Sequence, residues 1–184
     1  MCHSGSFVCY FRCMYQVVQR VMSYLVNYLT FPGVVIHELA HKIFCEEFGV
    51  SVRKVRYFRL GNPIGYVIHD EPGNVMQAFW ISVGPLLVNT IFALGASYAA
   101  SYFNAGDYRG WTLLWIGFSA GVHAFPSDAD ISNVASGRKG LGGLIVYVFV
   151  FPIVLLLRLA NKLRPYGFDL VYAITLTVVG LGFW

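Results

Sequence analysis

Charged residues are scarce in this sequence. Of its 184 residues, 12% are Asp, Glu, Lys or Arg, against about 25% in ordinary soluble domains. Hydrophobic residues make up 57%, and the mean hydropathy is +0.61. This composition argues against a soluble globular domain, and the modest net charge of +4 does not indicate nucleic-acid binding. It predicts a protein embedded in a lipid bilayer.

The sequence also has few cysteines, no internal repeat and no low-complexity tract. Cys2, Cys9 and Cys13 cluster near the N-terminus, where unpaired thiols in an apolar helix are favoured over pairing or metal binding. The same region lacks the short apolar core and small-residue cleavage site of a removable signal. We therefore predict one membrane-embedded domain over residues 1–184.

Long uncharged segments indicate where the chain crosses the bilayer. Residues 76–103 contain no Asp, Glu, Lys or Arg and are long enough to span it with some tilt. Further spans are predicted over residues 110–127, 140–157, 168–184 and, if its polar groups face inward, 31–50. Residues 7–29 carry Arg12 and Arg20 on one helical face, which fits a first span with snorkelling arginines or an interfacial amphipathic helix. The predicted fold class is all-α polytopic membrane protein, with about five or six transmembrane helices.

One short motif carries chemistry, namely His37-Glu38-Leu39-Ala40-His41. In a helix, His37 and His41 lie one turn apart on the same face, so both imidazoles can bind one Zn²⁺. Glu38 then lies beside them, where it can take a proton from the attacking water as general base. Ionisable residues in an apolar setting are costly unless they have a function, which strengthens this interpretation.

A strand-like insert lies between the zinc helix and the long span. Residues 51–60 alternate apolar and basic side chains, Gly61-Asn62-Pro63 forms a turn, and residues 64–68 are rich in β-formers, which predicts a small β-hairpin. Five of the 13 basic residues fall between Lys42 and Arg59, which indicates that this side, and the active site near it, faces the cytosol. A solvated loop that binds anionic lipid headgroups is an alternative, and both can hold.

A catalytic zinc needs a third protein ligand, and the segment from His123 to Asp130 offers several. If successive spans alternate in direction, residues 126–130 arrive at the membrane face where His41 lies, and both Asp128 and Asp130 are candidates. His69 and Glu71 are more simply interpreted as solvated loop residues. The same alternation places Arg158, Lys162 and Arg164 on the opposite face, unless the last section is short or re-entrant.

These motifs together resemble those of the site-2 protease class of intramembrane zinc metalloproteases, over about residues 31–136. The resemblance is carried by the following segments: the zinc helix, the insert ending Gly65-Tyr66-Val67, Gly84-Pro85-Leu86-Leu87-Val88-Asn89, and Pro126-Ser127-Asp128-Ala129-Asp130. Where the family usually has Leu-Asp-Gly, this chain has Pro-Ser-Asp-Ala-Asp. A compact branch with a Pro-Ser-x-x-Asp element is most similar, and it implies that Asp130 is the ligand.

The resemblance implies an intramembrane metalloendopeptidase that binds Zn²⁺ through His37, His41 and Asp130 and uses Glu38 as its catalytic residue. It implies a catalytic core over residues 31–136, preceded by an N-terminal helix over 1–30 and followed by C-terminal helices over 137–184. The implied substrate is a membrane protein or membrane-associated peptide, and we expect an exposed strand edge at Gly65, Tyr66 and Val67 to bind it by strand addition.

Two further residues are candidates for the substrate side of the site. Asn89 fits either a substrate-facing role or a contact between helices. His123 fits a stabiliser of the transition state, a donor to a zinc ligand, or a residue that caps or packs a helix. The sequence does not separate these alternatives.

Two other functions remain open. One is a non-proteolytic membrane protein whose zinc is structural, closed by a fourth protein ligand for which Asp128, His123 and Cys45 are candidates. The helical distance from His37 to Cys45 makes Cys45 the poorest of the three. The other is a zinc hydrolase that acts on a lipid or a lipidated peptide.

Overall fold

The structure is a computed structural model that describes residues 7–61, 63–136 and 140–182. It is mostly helical with a small two-stranded antiparallel sheet, as the sequence predicts. The elements in chain order are α1 (Phe7–Leu29), α2 (Phe31–Glu47), β1 (Val52–Arg56), β2 (Tyr66–His69), α3 (Val75–Ala100), α4 (Tyr108–Val122), α5 (Asp128–Ser136), α6 (Gly140–Leu163), a one-turn 3-10 helix (Arg164–Tyr166) and α7 (Phe168–Gly180).

Local sequence signals explain where several helices begin. Asn74 precedes α3, and its side-chain oxygen accepts a hydrogen bond of 2.9 Å from the backbone N–H of Gln77. Asp107 caps α4 in the same way by accepting from the N–H of Arg109 at 2.9 Å. Gly167, with φ of +86°, supplies the left-handed residue between the 3-10 helix and α7. Such caps satisfy backbone donors that a helix leaves unpaired in its first turn.

Two helical segments in the described residues are long and apolar enough to cross a membrane, Val75–Ala100 and Gly140–Tyr166. The predicted count of five or six spans is not confirmed. The predicted spans over 110–127 and 168–184 become helices of 15 and 13 residues, because α4 ends at Val122 and α7 at Gly180. At a rise of about 1.5 Å per residue, such helices fall short of a hydrocarbon core about 30 Å thick.

The N-terminal segment forms the single helix α1, whose described side chains are mostly exposed. The side chains of Arg12 and Arg20 lie outside the described part, so the choice between a spanning and an interfacial helix stays open. Of the cysteines that the structure describes, Cys13 and Cys45 are free thiols.

The predicted β-hairpin is present. β1 pairs antiparallel with β2, and Val55 lies opposite Val67. In the loop between them, where Asn62 is outside the described residues, the ring of Phe58 packs against Tyr28 and Phe31 at centroid distances of 6.1 and 5.5 Å. These contacts place the hairpin loop beside the junction of α1 and α2.

α3 is the central helix and packs chiefly against α4, α2, α7 and α5. Small residues allow close approach between these helices. A Cβ on Gly33 of α2 would lie 1.9 Å from the carbonyl oxygen of Ser119 in α4, and one on Gly84 of α3 would lie 2.5 Å from the ring of Phe44. α6 lies on the outside of this group, against α5 and the beginning of α3.

Candidate metal centre

Three side chains converge beside the hairpin, two from α2 and one from α5. The ligand atoms of His37, His41 and Asp130 all lie within 4.8 Å of one another, so this group can hold a metal ion. The spacing along α2 brings the two imidazole rings together, with centroids 4.8 Å apart. The third side chain comes from α5, which begins after the turn at Pro126 and Ser127.

Both imidazoles are oriented by backbone carbonyls. Nδ1 of His37 donates to the carbonyl oxygen of His123 at 2.6 Å, and Nδ1 of His41 donates to that of Ile81 at 3.0 Å. These bonds leave Nε2 of each ring for a metal. Metal-binding histidines almost always donate their other ring N–H to a carbonyl, carboxylate or water, so the arrangement is typical of a metal site.

The carbonyl that orients His41 is available because of a proline in α3. In a regular helix the carbonyl of Ile81 would accept from the N–H of residue 85, but Pro85 has no N–H to donate. The residue four positions before a buried proline therefore keeps an acceptor within the bundle, and His41 satisfies it. The Gly84-Pro85 element of α3 thus helps to orient His41, a candidate metal ligand on α2.

Asp130 is held by its own turn and by α3. The N–H and hydroxyl of Ser127 donate to Oδ2 of Asp130 at 2.8 and 2.6 Å, and Ser82 donates to its backbone carbonyl at 2.6 Å. Burial alone would raise the pKa of this carboxyl, but hydrogen bonding and charge from His41, with the bond from Ser127, hold the pKa below its usual range. The side chain is therefore an ionised carboxylate that faces the imidazole of His41.

Asp128 has a different partner. Its Oδ1 accepts from Nδ2 of Asn161 in α6 at 2.9 Å, and the same amide donates to the carbonyl of Pro126 at 3.0 Å. This carboxylate therefore ties the turn before α5 to α6. Of the two aspartates that the sequence left open, Asp130 is the one that lies with the histidines.

Glu38 lies in the wall of the same cavity, which has a volume of about 460 Å³. The residue is buried, with 8% of its surface exposed. Gly65 in the hairpin loop packs directly on it, because a Cβ at that position would lie 2.6 Å from Cγ of Glu38. The close contact requires glycine here and fixes the hairpin against the metal centre.

The hairpin residues predicted to bind substrate, Gly65, Tyr66 and Val67, all line this cavity. Two cations lie near the ring of Tyr66, with Nζ of Lys54 at 5.9 Å and Cζ of Arg59 at 5.1 Å from its centroid. Ring faces attract cations at such distances, so these contacts favour one position of the ring above the cavity.

His123 also lines the cavity, whereas Asn89 is fully buried behind it. Nε2 of His123 lies 2.7 Å from the hydroxyl of Thr30, and Nδ2 of Asn89 donates to the carbonyl of His123 at 2.8 Å. That carbonyl is the acceptor for His37, so Asn89 supports a candidate ligand through the backbone. A substrate-facing role for Asn89 stays a prediction.

His69 is the last residue of β2 rather than a solvated loop residue, and both it and Glu71 lie apart from the ligand group. His69 lines the cavity but donates from Nδ1 to the neighbouring carbonyl of Asp70 at 2.7 Å, and Glu71 is exposed. Cys45 is buried against Val50 and Ile81.

Sequence reasoning gave no role at the site to four residues that support or line it, namely Ser82, Pro85, Ser127 and Arg164. Pro85 was open to prediction, since a proline in an apolar helix leaves the carbonyl four residues earlier without its usual donor. Strict alternation of spans would place Arg164 on the opposite membrane face, whereas a short or re-entrant last section would not; Arg164 lines the same cavity as His41. The 3-10 helix that follows α6 therefore reaches the wall of the site.

Comparison of the chain with protein-family models, with curated proteins and with solved structures gave no match. The resemblance to site-2 proteases therefore rests on the motifs quoted above, and function must be argued from the geometry of the site.

Proposed function

We propose that this protein is a zinc metalloendopeptidase similar to site-2 proteases, which hydrolyses peptide bonds of membrane-associated protein substrates. The observation that carries the proposal is the convergence of His37, His41 and Asp130 beside Glu38 in one cavity. Glu38 is outside the ligand group yet lines the same space, as a general base must.

The donor set fits zinc. Two imidazoles and one carboxylate are typical ligands of catalytic zinc, which binds such ligands at about 2.0–2.2 Å. Tetrahedral ligands at that radius lie about 3.3 Å from one another, and Nε2 of His41 is 3.5 Å from Oδ2 of Asp130. Within the described residues the group has three members, which leaves a position for water and supports a hydrolytic over a closed structural site.

Zinc bound by these residues would activate water and polarise the scissile carbonyl. Glu38 would accept the proton of the attacking water on its carboxylate and then donate it to the leaving amide nitrogen. The carbonyls of His123 and Ile81 keep the two imidazoles oriented throughout, and Ser127 keeps Asp130 in place. The tight contact of Gly65 limits the motion of Glu38.

The hairpin supplies a means of binding an extended peptide. β2 pairs with β1 on one side, and no other strand pairs with it in the part of the chain that is described. A transmembrane helix satisfies its backbone groups internally and must unwind before hydrolysis, so the free edge at Tyr66 and Val67 would satisfy the exposed groups by strand addition.

We place the site within a multi-pass membrane domain, near the cytosolic face. The two apolar segments Val75–Ala100 and Gly140–Tyr166 support insertion in the bilayer. The shorter helices α2, α4 and α7 would cross only as part of the bundle, and with α1 they bring the proposed number of membrane helices to five or six. The basic residues of β1 and its loop support the cytosolic side and can contact anionic headgroups.

The replacement Glu38→Gln tests the mechanism. The variant protein should retain its zinc, because Glu38 is outside the ligand group, and should lose at least about 100-fold in the rate of cleavage, because general base catalysis is worth that much or more. Elemental analysis and cleavage of an unwinding-prone transmembrane substrate in detergent measure both quantities.

Glu47→Gln is the matched control, since Glu47 is an exposed carboxylate on the same helix. It should retain both zinc and activity. Cleavage that survives in Glu38→Gln would contradict the mechanism. Zinc in a wild-type protein that cleaves no peptide would favour a non-proteolytic role, and release of a lipid product would favour a lipid hydrolase.

A further inference from the structure

Arg164 lies where two cavities of the protein meet. It lines the metal cavity together with Glu38 and Asp130, and it also lines an adjoining cavity between α1 and the turn from α6 to α7. Among the described residues that line the metal cavity, it is the one Lys or Arg. The hairpin residues Gly65, Tyr66 and Val67 line the metal cavity but not the adjoining one. Arg164 therefore lies at the junction of the two cavities rather than beside the hairpin.

The guanidinium is held by one of its nitrogens. Nε donates to Oδ2 of Asp169 at 2.7 Å, and the two side chains are 33% and 16% exposed. Across residues 7–61, 63–136 and 140–182, no acceptor bonds to the terminal nitrogens. Arg164 is thus fixed in orientation while its terminal N–H groups remain available to a ligand.

Two acceptors beside Arg164 are buried without a partner in the described structure, Oδ1 of Asp169 and Oδ1 of Asn161. Buried polar atoms are normally hydrogen-bonded, so these acceptors in the wall of the adjoining cavity indicate a place for water or for the N–H groups of a peptide. Arginine binds carboxylates well because its planar fork can donate two parallel hydrogen bonds. The other charged side chains that line the metal cavity in the described structure are the carboxylates of Glu38 and Asp130, so Arg164 is the side chain of this wall that can pair with a carboxylate of the ligand.

We propose that Arg164 selects substrates that carry a carboxylate close to the scissile bond. This inference rests on the proposed peptidase function and narrows its substrate class. The carboxylate can be the C-terminal group of the peptide or the side chain of an Asp or Glu. Both offer the same two acceptor oxygens, and matched peptides distinguish them.

The test measures binding rather than cleavage, in the zinc-loaded full-length Glu38→Gln protein in detergent. The probes are N-acetylated, radiolabelled hexapeptides of Ala, Leu and Gly: one with a free C-terminal carboxylate, one with a C-terminal amide, and amide forms with a central Asp or Asn. We expect Arg164→Gln to weaken binding of a carboxylate peptide by about tenfold or more and to leave its uncharged counterpart unchanged, since hydrogen bonds between charged partners are worth that much.

A selective loss for the free acid over the amide assigns the C-terminal carboxylate, and a selective loss for Asp over Asn assigns a side chain. Equal losses for all peptides, no loss, or no measurable binding of any carboxylate peptide would overturn the proposal. Binding is measured in a variant that lacks the general base, so it does not depend on peptide cleavage. A wild-type protein without peptidase activity would therefore contradict the proposed function without deciding whether Arg164 binds a carboxylate.

Two control proteins separate recognition from folding. Arg158→Gln removes an exposed cation from α6, the helix that precedes Arg164, and should leave the preference for carboxylates intact. Arg164→Gln leaves Asp169 as a partly buried, unpaired charge, so the double variant Arg164→Gln/Asp169→Asn removes both charges together. It should keep the melting temperature of the parent protein and still lose the preference. A double variant that retains it would also overturn the proposal.

Discussion

The apolar helices α3 and α6 are similar in sequence character but differ in their surroundings. Both are long enough to cross a bilayer, and α6 is the more hydrophobic, with a mean hydropathy of 2.6 against 1.6. Yet 50% of the apolar window in α3 is buried within the protein, and only 22% of that in α6. In water the more apolar helix would be the better buried one, so the reversal is what the proposed lipid environment predicts.

Each of these helices also contains one proline, Pro85 in α3 and Pro152 in α6. Pro85 is buried, and His41 donates to the carbonyl of Ile81 that it leaves free. Pro152 is exposed, and in the described residues no side chain bonds to the carbonyl of Val148, the corresponding residue. A carbonyl that a proline leaves without its usual donor therefore supports the site only where a side chain from a second helix bonds to it.

The largest effect on zinc affinity is expected for Asp130, which faces the metal centre. Asp128, which bonds to α6, provides the comparison. Asp130→Ala removes a ligand and should reduce zinc affinity by more than the roughly 10–100-fold typical of supporting residues. Asp128→Ala loses only the bond to Asn161 and should leave zinc affinity near that of wild type. Competition with a chelator in detergent measures both. The opposite order would assign Asp128 as the ligand.

The prolines allow a second test. Pro85→Ala restores an N–H that competes with His41 for the carbonyl of Ile81, and we expect zinc affinity to fall about tenfold, within the range known for supporting partners of metal ligands. Pro152→Ala should leave zinc affinity unchanged, because the carbonyl of Val148, which Pro152 leaves without its usual donor, orients no metal ligand. Unchanged affinity in both variants would show that His41 does not depend on this bond.

The smallest effect concerns packing, probed with glycines of the two helices. Gly84→Ala places a methyl group against Phe44 and should lower the free energy of unfolding by about 1–3 kcal/mol. Gly95→Ala, in the same helix, and Gly142→Ala, in α6, point into open space and should be neutral or stabilising by up to about 1 kcal/mol. Thermal unfolding in detergent compares the three. A similar loss in all of them would mean that α6 is as closely packed as α3.

Much of the site could be predicted from the sequence, because its signals are local. The spacing of His37 and His41 on one helix is a property of four consecutive peptide units, and alternation in residues 51–60 was enough to indicate a strand. The number of spans was harder to predict, because lack of charge does not show where a helix ends. Residues 110–127 are uncharged, yet the helix stops at Val122, ahead of Pro126.

The sequence by itself determined the composition suited to a membrane, the helix that presents His37, Glu38 and His41, and the hairpin after it. These follow from hydropathy and periodicity, which act over one or a few turns of chain. Only the tertiary structure decided that Asp130 rather than Asp128 meets the histidines, that a carbonyl of α3 and one just after α4 orient them, and that Arg164 reaches the same cavity. Those relations join residues far apart in the chain, and helix packing rather than local preference sets such distances.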